Sequence, residues 1–184
     1  HVAFFIADAI GHGISAAMLA MMLTRTLAAN RFDPISGEFT QPKDMLFKLN
    51  TALLQRSGDN ARFATAAYGI LNCKTKILTF AGAGHPPALL NSIDCSNKLL
   101  ASDGPLLGVF VEDVDFKQNK IQLSSGDTLI IYSDGFERVF EDTQTEQTSL
   151  PKYVEIMSQF CNESSGNVLT DIDAFLTGTF PSRA

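Results

Sequence analysis

Two aspartates, each placed after an apolar run and followed by small residues, are the clearest candidates for chemistry in this sequence. Asp8 follows the apolar residues 2–7, and Asp134 follows the mostly apolar residues 130–133. Carboxylate and carbonyl oxygens are the ligands that hard divalent cations such as Mg²⁺ and Mn²⁺ prefer. Two aspartates at strand ends therefore predict a divalent-cation site, which neither aspartate could form alone.

The loop after Asp8 adds a possible phosphate-binding segment. His12 lies between Gly11 and Gly13, and such glycines allow a sharp turn whose amides, together with a following helix N-terminus, can hold phosphate. The segment lacks the lysine of a P-loop and the third glycine of a dinucleotide site. Gly11, His12 and Gly13 are predicted to bind substrate, with a tight turn in which Asp8 caps backbone amides as the alternative.

The sequence assigns a function less clearly to the histidines and arginines near these motifs. His12 could protonate a leaving group, and a loop histidine that only orients the turn is the alternative. His85 is followed by two prolines, so we predict that its ring packs or hydrogen-bonds at a bend between strands and is not catalytic. Arg25 and Arg138 are isolated, and we interpret both as solvated.

The candidate residues need a strand and two helices to position them. Residues 2–7 are apolar at nearly every position, which predicts a strand in the middle of a sheet, with earlier strands beside it. Residues 15–30 predict a helix that buries Ala17, Met18, Met21 and Met22 on one face. A second helix is predicted to begin at Pro42 and to end at Gly58. Its predicted apolar stripe is Met45, Leu46, Leu49 and Leu53.

The rest of the chain reads as strands followed by helices. A hairpin is predicted from residues 63–71 and 76–81, joined by a turn at 72–75. Further strands are predicted at 88–91, 114–123 and 128–133, and helices at 151–161 and 167–177. This order favours an α+β layered domain over a doubly wound parallel sheet.

The composition limits the classes of function. A chain of 184 residues with 45% hydrophobic residues has room for one core, and a net charge of -6 opposes binding to nucleic acid or to anionic membranes. No apolar run approaches the roughly 20 residues of a membrane span. Three scattered cysteines favour a reducing cytoplasm over a disulfide framework. Because residue 1 is not Met, we expect the sequence to begin inside a longer chain.

Four blocks together resemble the SpoIIE-type branch of the type 2C, or PPM, metal-dependent protein phosphatases. They are residues 4–20 (FFIADAIGHGISAAMLA), 67–90 (AYGILNCKTKILTFAGAGHPPALL), 104–109 (GPLLGV) and 123–137 (LSSGDTLIIYSDGFE). The blocks follow one another in the family's order. The resemblance covers nearly the whole chain and identifies residues 1–184 as a single phosphatase domain.

The resemblance implies a fold and a reaction. The fold is a four-layer α-β-β-α sandwich, in which two antiparallel sheets are flanked by helix pairs. Two Mn²⁺ or Mg²⁺ ions are implied, with Asp8 bridging them, the backbone carbonyl of Ala9 completing a ligand set and Asp134 holding one ion from the other side. Such ions activate a water for attack on phosphorus, so Asp8 and Asp134 are the implied catalytic residues and no protein nucleophile is needed.

The sequence departs from the family pattern at both ends. The family's earlier Gly-Gly-Asp motif and its final Asp-Asp motif are absent, and Asp171 and Asp173 are not substitutes because they lie in an apolar helical pattern. We therefore expect a domain that lacks its first strands and its last strand and that binds metal poorly as 184 residues. A degenerate member that has lost ligands is the alternative.

The resemblance also implies a biological setting. We expect a cytoplasmic phosphoserine or phosphothreonine phosphatase in bacterial signalling, acting on a phosphorylated, anti-anti-sigma-factor-like protein. An upstream sensor or receiver domain is expected on the natural chain, and neither nucleic-acid binding nor membrane insertion of this domain is expected. The alternative hypothesis is a non-catalytic binding module that keeps the phosphatase fold and binds a partner without hydrolysis.

Overall fold

The chain folds into two antiparallel sheets and a pair of helices. The computed structural model describes residues 1–55, 63–93, 97–111, 114–135 and 154. The helices are α1 (Gly13–Ala29) and α2 (Pro42–Leu54). The strands are β1 (Val2–Ala9), β2 (Ala64–Asn72), β3 (Ile77–Ala83), β4 (Ala88–Asn91), β5 (Asn97–Leu100), β6 (Asn119–Gln122) and β7 (Thr128–Ile130). The predicted α+β sandwich is confirmed, while the predicted helices at 151–161 and 167–177 lie, apart from residue 154, outside the described residues.

The two sheets are built from different parts of the chain. The first has the strand order β1-β2-β3-β6, and the second has the order β5-β4-β7. The predicted hairpin is confirmed as β2 and β3, whose turn is held by Asn72: its Oδ1 accepts hydrogen bonds from the amides of Lys74 and Thr75. The chain thus places the strand that carries Asp8 in one sheet and the strand before Asp134 in the other.

Alternation along β2 assigns its side chains to two core layers. Ala66, Tyr68 and Ile70 point toward the helices, whereas Ala67 and Leu71 point toward the second sheet. The helix-side layer also holds Leu19, Leu23, Met45, Leu46, Leu49, Leu53, Leu107 and Phe116. The layer between the sheets holds Leu78, Phe80, Ala88, Leu90 and Leu100. The described residues thus form three stacked layers with a core on each side of the first sheet.

The second helix agrees with its prediction. Pro42 begins α2, where its fixed φ and missing amide cost nothing. The four residues of the predicted stripe are fully buried: Met45, Leu46, Leu49 and Leu53. The helix ends at Leu54, and the predicted end at Gly58 falls outside the described residues.

The predicted buried face of the first helix is wrong at Met18 and Met21, whereas Met22 is partly buried and packs against the core. Leu19 and Leu23 are buried and face the core, but Met18 and Met21 are 62% and 71% exposed. The helix is apolar on most of its surface, so periodicity alone left two faces to choose between. Packing against β1 and α2 selects the leucine face.

Three strand predictions differ from the structure. In the described sheet β1 lies at an edge and pairs only with β2, not in the middle as its apolar sequence predicts. The strands predicted at 114–123 and 128–133 are limited to β6 and β7, and β5 was not predicted. No helix in the described part of the chain is both long and apolar enough to cross a membrane.

Candidate metal centre

Asp8 lies at the end of β1 on the face that meets the second sheet. Phe4 and Ile6, two and four residues earlier, pack in the layer between the sheets, and Asp8 continues their side of the strand. Its partner across the first sheet is Thr65 on β2. The core between the sheets therefore ends at this edge in a carboxylate and a hydroxyl.

Asp134 reaches the same place from the second sheet. Asp8 and Asp134 line one open pocket of about 360 Å³. The other lining residues are Thr65, Gly84, His85, Pro86 and Pro87. Both aspartates are exposed to solvent, as side chains that bind an ion arriving from water must be. The structure thus brings the two aspartates together, and their role as metal ligands stays a prediction.

His85 is the buried centre of this pocket. Its side chain is 4% exposed, and its Nδ1 lies 2.8 Å from Oγ1 of Thr65. Its backbone amide donates to Oγ of Ser102 at 3.1 Å. The Nε2 atom is buried and has no hydrogen-bond partner of ordinary geometry in the described part of the chain. The His85 ring therefore forms a hydrogen bond at a bend between strands, and it borders the candidate site.

Burial sets the charge state of this ring. Loss of hydration lowers the pKa of His85 below its ordinary value of 6.5. The backbone carbonyl of Tyr132 and the carboxylates of Asp8 and Asp134 act in the opposite direction without overcoming burial. His85 is therefore neutral at pH 7.

A neutral buried histidine makes stability depend on pH in a defined direction. The unfolded ring binds a proton below about pH 6.5, while the folded ring binds it only at lower pH, so the free energy of unfolding should fall as the pH drops from 6.5 through that window. His85→Asn should remove this part of the slope. Urea denaturation of both proteins between pH 5 and 8, in buffer with EDTA, measures it; equal slopes would contradict the assignment.

The loop of Gly11, His12 and Gly13 lies outside the pocket lining. Gly11 and Gly13 have φ of 91° and 74°, a left-handed conformation that explains why glycine occupies both positions. His12 is the N-cap of α1, and its own side chain makes no capping hydrogen bond. Asp8 is not the cap, so this part of the turn-only alternative is not seen, and substrate binding by the three residues stays a prediction.

The backbone of Ala9 points away from its neighbouring strand. The Ile10 amide donates to the Phe63 carbonyl, so Ile10 and Asp8 direct their backbone groups toward β2. The intervening Ala9 carbonyl faces the other side, outside the β1–β2 ladder. A carbonyl ligand needs this freedom, and ligation by Ala9 stays a prediction.

The donor set fits part of a divalent-cation site. Two carboxylates on one pocket, with a carbonyl outside the sheet ladder, match the oxygen ligands of Mg²⁺ and Mn²⁺. Within the described ranges no group of three or more His, Cys, Asp or Glu side chains is arranged to hold a metal ion. The described residues therefore include oxygen donors suited to such a centre, without enough of them to fill a coordination shell.

Two polar residues of the site were not predicted from the sequence. Thr65 is the polar residue within an otherwise apolar strand segment, which could have marked it. Ser102 lies between strands with no motif around it. Both hydrogen-bond to His85, and these contacts depend on strand pairing that the local sequence does not reveal.

Comparison with known proteins gives a consistent result. Residues 1–177 match the family described as Stage II sporulation protein E (SpoIIE). The phosphoserine phosphatase RsbU of Bacillus subtilis is 30% identical over 173 residues, which cover 93% of this chain and 49% of RsbU. The phosphoserine phosphatase RsbP of the same organism is 28% identical over 133 residues, 71% of this chain and 32% of RsbP. The chain therefore spans half or less of the length of these curated relatives.

A solved structure shares the fold. The SiaA-PP2C domain of Pseudomonas aeruginosa superposes with a TM-score of 0.75 at 16% identity, covering 98% of this chain and 70% of that domain. At this identity the likeness concerns the fold alone. It agrees with the two antiparallel sheets that bring Asp8 and Asp134 to one pocket.

Proposed function

This chain belongs to the SpoIIE family, whose PP2C-type members are metal-dependent phosphatases, and we propose that it hydrolyses phosphoserine or phosphothreonine on a bacterial signalling protein. The observation that carries the proposal is the meeting of Asp8 and Asp134, from different sheets, at one solvent-open pocket. A phosphorylated side chain of a protein substrate can enter such a pocket from the surface.

The residues of the pocket have separate roles in this proposal. Asp8 would bind both of two Mn²⁺ or Mg²⁺ ions, the Ala9 carbonyl would complete a ligand set, and Asp134 would hold one ion from the second sheet. Bound ions would supply activation of a water and neutralisation of charge on the phosphoryl group. Thr65 is the hydroxyl residue of the pocket lining, and it is engaged with His85. Water is therefore a better attacking group than this hydroxyl.

Substrate binding is assigned to the loop before α1. Gly11, His12 and Gly13 are exposed, the first turn of α1 contains no acidic residue, and the His12 side chain makes no capping hydrogen bond. Free amides at a helix N-terminus attract anions. We assign to this loop the outer oxygens of the substrate phosphate.

The wider setting is also part of the proposal. A phosphorylated, anti-anti-sigma-factor-like protein is the proposed substrate, and a sensor or receiver domain upstream is the proposed source of control. The 184 residues form one phosphatase domain, to which further strands on the natural chain add ligands. RsbU is about twice as long as its matched part, so a relative of this kind carries additional segments. The few cysteines suit a cytoplasmic protein.

Metal dependence gives the direct test. We expect inorganic phosphate to be released from a phosphoserine peptide only when Mn²⁺ or Mg²⁺ is added, and EDTA in excess to stop the release. Both the 184 residues and the complete product of the gene should be assayed by a colorimetric phosphate assay. The shorter protein should need higher metal concentrations, because the described ligands do not fill a coordination shell.

Two outcomes would end the proposal. Phosphate release that continues in EDTA would exclude a metal-activated water. A complete gene product that folds, yet releases no phosphate at any metal concentration, would favour the non-catalytic binding module. In that case the same protein should still bind a phosphorylated partner without turning it over.

A further inference from the structure

We propose that His85 is a positioning residue that sets the separation of Asp8 and Asp134 by linking the two sheets through its ring. The idea that this link serves a metal centre rests on the proposed function. The contacts that form the link do not depend on it. The sequence predicts only that the His85 ring packs or hydrogen-bonds at a bend; the inference adds that this buried residue sets the geometry of the candidate metal centre.

The first half of the link reaches the Asp8 side. Nδ1 of His85 lies 2.8 Å from the Thr65 hydroxyl. Thr65 is paired directly with Asp8 in the β1–β2 register, and both side chains line the pocket. A shift of the ring would therefore move the strand position opposite the first carboxylate.

The second half of the link reaches the Asp134 side. His85 lies between β3 of the first sheet and β4 of the second, and its ring lines the same pocket as Asp134. Nδ1 is occupied by Thr65, which leaves Nε2 for the Tyr132 carbonyl and the Asp134 carboxylate, the groups that favour the protonated ring. These groups and the Asp8 carboxylate are all acceptors. Nε2 therefore carries the proton of the neutral ring, Nδ1 is the acceptor, and the Thr65 hydroxyl donates to it.

The ring is held firmly enough to act as a spacer. It is 4% exposed, its own amide donates to Ser102 Oγ, and the residue before it, Gly84, is fixed by an amide hydrogen bond of 2.8 Å to the Gly104 carbonyl. Outer partners that orient metal ligands change metal affinity or activity by about 10- to 100-fold when removed. The same range is expected for His85.

The tautomer can be measured without metal or substrate. Long-range ¹H–¹⁵N correlation spectra of the wild-type protein in EDTA should show the His85 ring with its proton on Nε2. In Thr65→Val, which keeps the volume and removes the donor, the Nδ1 shift should move toward that of an unbonded nitrogen. A ring protonated on Nδ1 in the wild type would overturn the proposal.

Two variants divide the link into its halves. His85→Asn keeps an acceptor near Nδ1 and loses the donor at Nε2, whereas His85→Gln can place a donor near Nε2 and loses the bond to Thr65. Each should weaken Mn²⁺ binding to the complete gene product by about 10- to 100-fold, measured by titration with electron paramagnetic resonance. Asn50→Ala is the control, because Asn50 is buried in α2 and bonds the backbone of Gly108 and Phe110.

The outcomes separate this inference from the proposed function. If the Asn50 and His85 variants lose similar thermal stability but only the His85 variants lose Mn²⁺ affinity, His85 positions the ligands. Wild-type Mn²⁺ affinity in folded His85 variants would overturn the inference while leaving the phosphatase proposal intact. Tight Mn²⁺ binding that depends on His85, in a protein that releases no phosphate, would instead reject the phosphatase proposal and keep the positioning role.

Discussion

Asp8→Asn and Asp134→Asn should each lower metal-dependent phosphate release by at least about 1000-fold, equivalent to about 4 kcal/mol of transition-state stabilisation. Asparagine keeps the shape of the side chain and removes the negative charge that holds a cation. The two residues are exposed side chains that line the pocket, so the variants should fold normally. Initial rates with a phosphoserine peptide, at saturating Mn²⁺, measure the effect.

The double variant sharpens this test. If both carboxylates serve one centre, Asp8→Asn with Asp134→Asn should be no slower than the worse single variant, because residues that act as a unit are not additive. Asp115→Asn is a matched control, since Asp115 is an exposed aspartate outside the pocket lining. Full activity in either single variant, or multiplied losses in the double variant, would show that the two aspartates do not share a centre.

The elements that the sequence predicts well are those whose local pattern allows one answer. In α2, an apolar stripe begins after Pro42 and recurs with helical spacing, and every residue of the stripe is buried. The β2–β3 hairpin follows from two apolar runs around Asn72, whose side chain closes the turn. In both cases the local sequence and the tertiary packing favour the same secondary structure.

Patterns that allow two answers needed the tertiary structure. The helix α1 is rich in Ala, Leu and Met around its circumference, so the choice between the face of Met18 and Met21 and the face of Leu23 depended on its neighbours. The strand β5 is short, and its lysine, Lys98, is exposed. It exists because β4 offers a partner, not because its own residues require it.

The candidate site shows the same division. Asp8 and Asp134 could be selected because each follows an apolar run and precedes small residues, and this pattern is local. The contact between His85 and Thr65 joins residues 20 positions apart, and it depends on strand register. A shift of one residue would turn Thr65 to the opposite face of the sheet. Sequence motifs therefore identify the two aspartates, whereas only the fold identifies the contact between His85 and Thr65 that we propose sets their separation.

At Gly104 the backbone passes close to the backbone of Gly82, which lies in β3. Its amide donates to the Gly82 carbonyl at 3.1 Å, and its carbonyl accepts from the Gly84 amide at 2.8 Å. A Cβ at this position would lie 2.3 Å from the Gly82 carbonyl oxygen and 2.8 Å from the Phe116 ring. The oxygen belongs to the backbone of β3 and cannot rotate away as a side chain would.

Gly104→Val should therefore lower the free energy of unfolding by about 4 kcal/mol. Overpacking at a closed site costs about 1 to 3 kcal/mol, and the loss of two backbone hydrogen bonds adds about 1 kcal/mol each. Urea denaturation followed by circular dichroism measures the change. Gly104→Ala should lie between the wild type and the valine variant, since it adds the clashing Cβ without the two methyl groups.

Gly135→Ala is the matched control for this prediction. A Cβ at Gly135 meets no atom of the described residues within 4 Å, so the free energy of unfolding should change by less than about 0.5 kcal/mol. Equal stability of the Gly104 and Gly135 variants would mean that residues 82 and 104 do not approach as closely as described. Because Gly84 is hydrogen-bonded to Gly104 and directly precedes His85, separation of these segments should also release the His85 ring, which lines the pocket together with both aspartates.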